Sequence, residues 1–334
     1  MSLTEEGLIH VPGMLSRYVR LSTGVKVHYM TSGETGPSVV LLHGGIPGSS
    51  GTAGFRFLAP FLGAHGFRVY APDMPAFGLT EDPLNHYGYG QGGHIDFIHD
   101  FTRALGLDRF HLAGNSMGCS NGSVYVVSHP EQILSFALIA GRVGDIVPWA
   151  AMLEADGRSD EEKPKMGRFD GTEAGMRYMM EQIILDPANI SDDLVAMRTR
   201  AANLHEDFWG PNMKRFHAPR DGRADANEEA RLRTRGRLDE VTIPGIYLYG
   251  QEDVLHSVEA GYVQEDALPN IQFFYPEGAG HQGQTDQPEL FNQTILEFFR
   301  DGKVSWETAQ RAGVSHRRQP DARLVAVPET QPIA

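Results

Sequence analysis

Ser116 lies within Gly114-Asn115-Ser116-Met117-Gly118, a serine bracketed by two glycines. A hydroxyl is a poor nucleophile until a neighbouring base takes its proton, so a reactive serine must be held clear of its own strand and beside an imidazole. A G-x-S-x-G sequence between a strand and a helix supplies such a turn, because a side chain at either glycine would press on neighbouring backbone. Two later loops offer the remaining groups: Tyr249-Gly250-Gln251-Glu252-Asp253 and Gly278-Ala279-Gly280-His281. Each follows an expected strand, and the chain order is Ser, Asp, His. Asp253 is expected to hold the His281 imidazole in the tautomer that accepts the Ser116 proton, with adjacent Glu252 as the other carboxylate to weigh.

Acyl-transfer chemistry also needs fixed donors for the oxyanion that forms as a carbonyl is attacked, each worth on the order of 3 kcal/mol in a dry site. His43-Gly44-Gly45-Ile46-Pro47-Gly48 follows an apolar strand and has the glycines to turn backbone amides inward. The amides of Gly45 and Met117 are the expected donors. A phosphate-cradling reading of this loop fails because no Lys-Ser/Thr pair follows it.

These groups can meet only if a sheet collects them. Arg17 to Thr31 alternates about Thr23-Gly24 as a hairpin with one wet face. Val39–Leu42, Phe67–Ala71, Phe110–Ala113 and Phe136–Ile139 are short apolar runs, as expected for parallel strands covered on both faces. Helices are expected over Gly54–His65, Gly90–Leu105 and from Ser116 to His129-Pro130, giving a doubly wound α/β arrangement. The rhythm stops after Gly141 and returns with strands at Ile243–Tyr249 and Ile271–Tyr275 and a helix over Pro288–Phe299.

The organisation implied is a core of residues 1–141 and 239–303, a helical lid over 142–238 and a C-terminal extension over 304–334. In the lid, Met176, Met179, Met180, Ile183 and Ile184 fall at helical spacing, as a packing stripe or an adaptable pocket wall. Ser191 before Asp192-Asp193 is an N-cap for a helix through Arg198. The polar run from Arg220 to Arg235 reads as a solvated face or loop. A short helix is expected from Ser305 to Ala312, then a loosely ordered tail with Pro320, Pro328 and Pro332, able to dock on a neighbouring subunit.

With 334 residues, 41% hydrophobic and 22% charged, the chain can bury a large core. A formal net charge of −14 opposes nonspecific attraction to nucleic acid or an anionic membrane, so a small-molecule ligand is expected. The first residues lack a basic segment leading into an apolar run, and no stretch has the length and apolarity of a membrane span; a cytoplasmic location is the expectation. Cys119 is the single cysteine, which excludes an internal disulfide, and it reads as a small buried helix residue. His94, His99, His205, His217 and His256 show no metal-ligand spacing, so neither a metal nor another cofactor is expected.

At these residues the chain resembles the α/β-hydrolase superfamily, and within it the meta-cleavage product hydrolases, which split a carbon–carbon bond in 2-hydroxy-6-oxo-dienoates from aromatic degradation. The likeness rests on His43–Gly48, Asp73-Met74-Pro75-Ala76-Phe77-Gly78, Gly114–Gly118 and, in the lid, Ile190–Leu194 with Arg198 a turn further on. It implies an α/β-hydrolase fold with a mostly parallel doubly wound sheet and a helical lid insertion, a homodimer or larger homo-oligomer, and a substrate carrying a carboxylate. Arg198 is the candidate for a bidentate grip on that carboxylate, against a lid salt bridge to an acid such as Asp192. Asn115 either orients the substrate's 2-oxygen or braces the turn. Gly44, Ile46 and Gln282 are further candidates for substrate contact. Gln282 stands where an aromatic is usual, Ile46 where a small residue is common and Gly54 where an amide side chain is expected, and all three bear on the pocket more than on the triad.

The competing reading is an ester or lactone hydrolase with the same triad. A perhydrolase of the cofactor-free haloperoxidase type shares Ser-Met at the turn. An epoxide hydrolase or dehalogenase would need a carboxylate in place of Ser116. A non-enzymatic receptor on this fold would capture ligand without forming product.

Overall fold

The computed structural model describes residues 3–82, 86–87, 90–159, 161–163, 165–166, 169–209 and 226–328. The alternating segment forms the antiparallel hairpin β1 (Leu15–Arg20) and β2 (Lys26–Ser32), with Ser16 opposite Met30. The apolar runs become β3 (Ser38–Leu42), β4 (Arg68–Pro72), β5 (Phe110–Asn115), β6 (Ile133–Ile139), β7 (Gly245–Leu248) and β8 (Gln272–Phe274). They make one 8-stranded sheet in the order β1-β2-β4-β3-β5-β6-β7-β8, parallel from β4 to β8. Every residue of β3 and β5 is buried, which explains why these strands show no polar alternation.

Between the strands lie α1 (Gly51–Phe55), α2 (Leu58–Ala64), α3 (Gln91–Ala104) and α4 (Met117–Ser128). The single helix expected over 54–65 is thus two pieces, the first begun by Ser50, whose side chain accepts from the Ala53 amide. That early start lets the Gly51 amide reach the buried Asp73 carboxylate at 2.7 Å.

From β6 to β7 the described chain is helical: α5 (Trp149–Asp156), α6 (Glu173–Glu181), α7 (Asp192–Leu204), α8 (Glu206–Trp209) and α9 (Ala226–Leu232). Ser191 caps α7 by accepting from the Leu194 amide at 3.2 Å. The apolar stripe outruns α6, which ends before Ile183 and Ile184; both are still buried, so burial there does not need helical geometry. Of the polar run 220–235, residues 220–225 lie outside the described residues, and α9 occupies part of the rest.

Between β7 and β8 lies α10 (Val258–Ala267), and after β8 come α11 (Gly283–Asp286), α12 (Pro288–Asp301), β9 (Val304–Ser305), α13 (Trp306–Arg311) and β10 (Val325–Ala326). The loosely ordered tail expected beyond Ala312 is not what the described residues show. Val314 pairs with Phe274, Ser315 donates to the Phe273 carbonyl at 3.0 Å, and β10 runs parallel to β9. Val314, Leu324 and Val325 are buried, and Arg318 donates to the carbonyls of Glu265, Leu268 and Ile271, so apolar burial and carbonyl capping hold the segment. Residues 329–334, with Pro332, lie outside the described residues.

Candidate active site

Ser116 sits between β5 and α4 with φ 57° and ψ −115°, a backbone conformation that a non-glycine residue rarely adopts. The flanking glycines make it possible. A Cβ at Gly118 would lie 1.9 Å from the Leu42 carbonyl oxygen, and one at Gly114 would lie 2.2 Å from that of Gly118. The Ser116 amide donates to the Ile139 and Ala140 carbonyls at 3.0 and 3.1 Å, which fixes the turn against β6.

The three groups separated in sequence meet here. Ser116 Oγ is 2.8 Å from His281 Nε2, and His281 Nδ1 is 2.9 and 3.2 Å from the two Asp253 oxygens. With the proton on Nδ1, the imidazole donates to Asp253 and accepts from Ser116. His281 and Asp253 are buried, and Asp253 is fixed further by the Leu255 amide at 2.9 Å. Glu252 is turned to a different task and accepts from the Ala279 amide at 3.1 Å.

Gly44 and Gly45 lie over the turn. A Cβ at Gly44 would sit 3.3 Å from that of Ser116, and one at Gly45 would sit 3.0 Å from the Met117 side chain. The loop is anchored from behind by His43, which accepts from the Met74 amide at 3.0 Å and donates to the Gly44 carbonyl at 2.7 Å. Met117 opens α4, where an amide has no acceptor within the helix.

Arg198 is 1% exposed and donates from Nη2 to the Pro47 carbonyl and Ser49 Oγ at 3.3 and 3.4 Å. Its Nε is buried without a hydrogen-bond partner. The salt bridge to Asp192 does not form; Asp192 pairs at 2.5 Å with Arg177. Burial, and then the neighbouring Arg56, push the Arg198 guanidinium down to about 9.

Asn115 donates to the His281 carbonyl at 3.0 Å and the Ile139 carbonyl at 3.4 Å, and so braces the histidine loop. Gln282 is buried and its backbone N–H donates to the Ile183 carbonyl at 3.2 Å, while the side-chain Oε1 has no partner. Ile46 is half-buried against the core.

Cys119 is fully buried and burial pushes its thiol up, so it packs on the first turn of α4. His94 contacts Asn121 at 3.1 Å, His99 stacks on His129, His205 meets the Gly78 carbonyl and His256 packs on Trp149. His217 lies outside the described residues.

Sequence reasoning passed over two buried charges. Arg56 donates to the Ala53 and Asn189 carbonyls, both at 2.9 Å, and Asp286 accepts from Gly280, Leu185 and Asp186. The available signals were an arginine soon after the His43–Gly48 loop and an acid one short helix after His281.

Residues 37–288 match the model of the alpha/beta hydrolase fold family. The chain belongs to that family. It is 28% identical over 296 residues to a 2-hydroxy-6-oxononadienedioate/2-hydroxy-6-oxononatrienedioate hydrolase of Paraburkholderia phymatum, covering 86% of this chain and 97% of the relative. It is 27% identical to a 2-hydroxy-6-oxo-6-(2'-aminophenyl)hexa-2,4-dienoic acid hydrolase of Metapseudomonas resinovorans, over 82% of this chain and 88% of that one. Among solved structures, the 2-hydroxy-6-oxo-6-phenylhexa-2,4-dienoate hydrolase of Rhodococcus sp. strain RHA1 superposes with a TM-score of 0.65 at 22% identity, covering 86% of this hydrolase and 99% of that chain. The hydrolase is therefore similar over most of its length to meta-cleavage product hydrolases, as its motifs imply. Among its described residues no helix is long and apolar enough to cross a membrane.

Proposed function

We propose that this hydrolase cleaves the carbon–carbon bond next to the 6-oxo group of a 2-hydroxy-6-oxo-dienoate, with Ser116, His281 and Asp253 as its catalytic triad. The observation that carries the substrate class is Arg198, a buried guanidinium with no acid among its hydrogen-bond or ion-pair partners. It rests on the Pro47–Ser49 stretch of the loop whose Gly45 overlies the nucleophile turn. A buried cation of this kind is costly unless an anion completes it, and the planar fork matches a carboxylate.

In this reading Arg198 grips the C1 carboxylate, and the dienol ketonises so that the electron pair released on bond breaking is stabilised as a dienolate. His281 removes a proton from Ser116, or from a water, as that oxygen adds to the 6-carbonyl. The amides of Gly45 and Met117 receive the oxyanion. The carbon–carbon bond breaks, a proton passes to the departing fragment, and one water in all is consumed to give a carboxylic acid and a 2-hydroxydienoate. Asp253 keeps the imidazole in its accepting tautomer and stabilises the imidazolium.

An ester or lactone hydrolase would use the same triad but would not need Arg198. The test is one spectrophotometric comparison: loss of the yellow dienolate of ring-cleavage products against release from neutral aryl esters. Turnover of esters far above that of every dienoate overturns the carbon–carbon reading and leaves the triad intact. A homo-oligomer in the cytoplasm is part of the same reading, and light scattering of the purified enzyme checks the assembly.

A further inference from the structure

His281 is gripped on both sides by one turn of the helical insertion. On its far side, the Gln282 amide donates directly to the Ile183 carbonyl at 3.2 Å. On its near side, the Gly280 amide donates at 2.9 Å to Asp286 Oδ2, while Asp286 Oδ1 accepts from Leu185 at 2.7 Å and Asp186 at 3.2 Å. One buried carboxylate thus joins the peptide preceding the proposed base to amides about a hundred residues away in sequence.

We infer that Asp286 is a positioning residue: it sets the His281 imidazole against Ser116 by locking the histidine loop to the Ile183–Asp186 turn, so the seating of the insertion is passed directly to the base.

The inference rests on His281 being the base. Three features support it. Asp286 is 7% exposed, so a carboxylate there needs its amide donors, and burial does raise its carboxyl above the usual range against the pull of those three bonds. The fit is tight, since a Cβ at Gly280 would lie 3.2 Å from Asp286 Oδ2 and 3.5 Å from the Leu185 side chain. Arg56, a buried cation that feels the Asp286 carboxylate, also holds the insertion, through the Asn189 carbonyl at 2.9 Å. The joint therefore has a cation and an anion from the core, both gripping backbone of the same insertion segment.

An Asn at position 286 keeps the shape but offers one acceptor oxygen in place of two, so it cannot serve Gly280 and the Leu185–Asp186 pair together. In Asp286→Asn, assayed below the unfolding transition of both proteins, kcat is expected to fall roughly ten- to a hundredfold for dienoates and aryl esters alike. KM should move less than about threefold. A kcat within twofold of wild type, or a rise in KM with kcat unchanged, overturns the inference, as does lost thermal stability with full kcat.

Should that variant not fold, wild-type hydrogen exchange decides. The amides of Leu185, Asp186 and Gly280 are expected to open as one unit, with matching protection and a common slowing when a dienoate analogue binds. Protection of Gly280 and Leu185 differing by more than about tenfold removes the joint. Persistence of activity in His281→Ala would instead sink the assignment of the base and leave the exchange result standing.

Discussion

The molecule contains a second set of the same three groups. His28 Nδ1 lies 2.6 Å from Asp73 Oδ2, and His28 Nε2 lies 3.1 Å from Ser16 Oγ, distances close to those at His281. His28 and Asp73 are fully buried, and the neighbouring Tyr18 and Thr80 line a cleft of about 420 Å³. By distances alone either set passes for a catalytic triad. They differ in backbone. Ser16 is a residue of a regular antiparallel strand, paired with Met30. Ser116 stands on a strained turn at positive φ, at the start of a helix and beneath a glycine loop. Asp73 is also spent on structure, because it accepts from the Gly51 and Leu79 amides and ties β2 to the chain after β4. The lesson is that a nucleophile is made by the turn and the donors around it, and a hydrogen-bonded Ser-His-Asp chain can be mere scaffolding.

The comparison breaks most directly at the serines. Ser116→Ala should lower kcat by on the order of 10⁴ or more while a dienoate still binds, whereas Ser16→Ala should leave kcat within about twofold. Activity lost from Ser16→Ala with the fold intact would reverse the assignment. Next comes the proposed grip of Arg198 on the substrate carboxylate. Arg198→Ala should reduce kcat/KM for carboxylate substrates by about 2–3 kcal/mol, roughly 30- to 150-fold, with little change for a neutral aryl ester. Equal losses on both substrates would mean that the arginine serves folding.

The aspartates separate the same way. Asp73→Asn should cost about 3 kcal/mol in urea unfolding, with kcat per folded molecule kept within about threefold, because it leaves a buried network short of an acceptor. Asp253→Asn should instead cost activity.

The last effect depends on pH and concerns buried histidines that have no carboxylate. Burial lowers His111, which contacts Ser135 Oγ at 2.8 Å, from 6.5 to about 4. Burial and then nearby His43 do the same for His94, against a small opposing pull from Asn121. Both fold as neutral rings. Their stabilising contribution is therefore complete above the unfolded value of 6.5 and fades as pH falls toward about 4, by up to roughly 3 kcal/mol each. His111→Gln should flatten the fall in urea midpoint between pH 7.5 and 5, and an unchanged slope would refute this.

Much of the fold was legible because burial on both faces leaves a simple mark: β3, β5 and β6 are apolar runs, and each reactive loop follows such a run. The cap at Ser191 was legible for the same local reason. What stayed hidden depends on partners distant in sequence. Nothing local separates Ser16, His28 and Asp73 from surface residues of a hairpin and a loop, nor reveals that Asp192 is taken by Arg177 and so leaves Arg198 without it. The stretch after Ala312 is hydrophilic and carries prolines, and neither feature reveals that it packs. Arg318 lays its guanidinium on three backbone carbonyls. The early start of α1 likewise involves a distant partner, the Asp73 carboxylate that accepts from the Gly51 amide, which no helix propensity encodes.

That returning stretch has a consequence for biogenesis. β8 is the last strand of the sheet, and its open side is covered by Gly313, Val314 and Ser315, which are translated well after it. A nascent chain stalled before them presents a bare, apolar strand edge, the kind of surface that recruits chaperones or a second copy of the same strand. Fusions or nicks that delay this closing segment should therefore lower the yield of soluble enzyme before they touch its turnover.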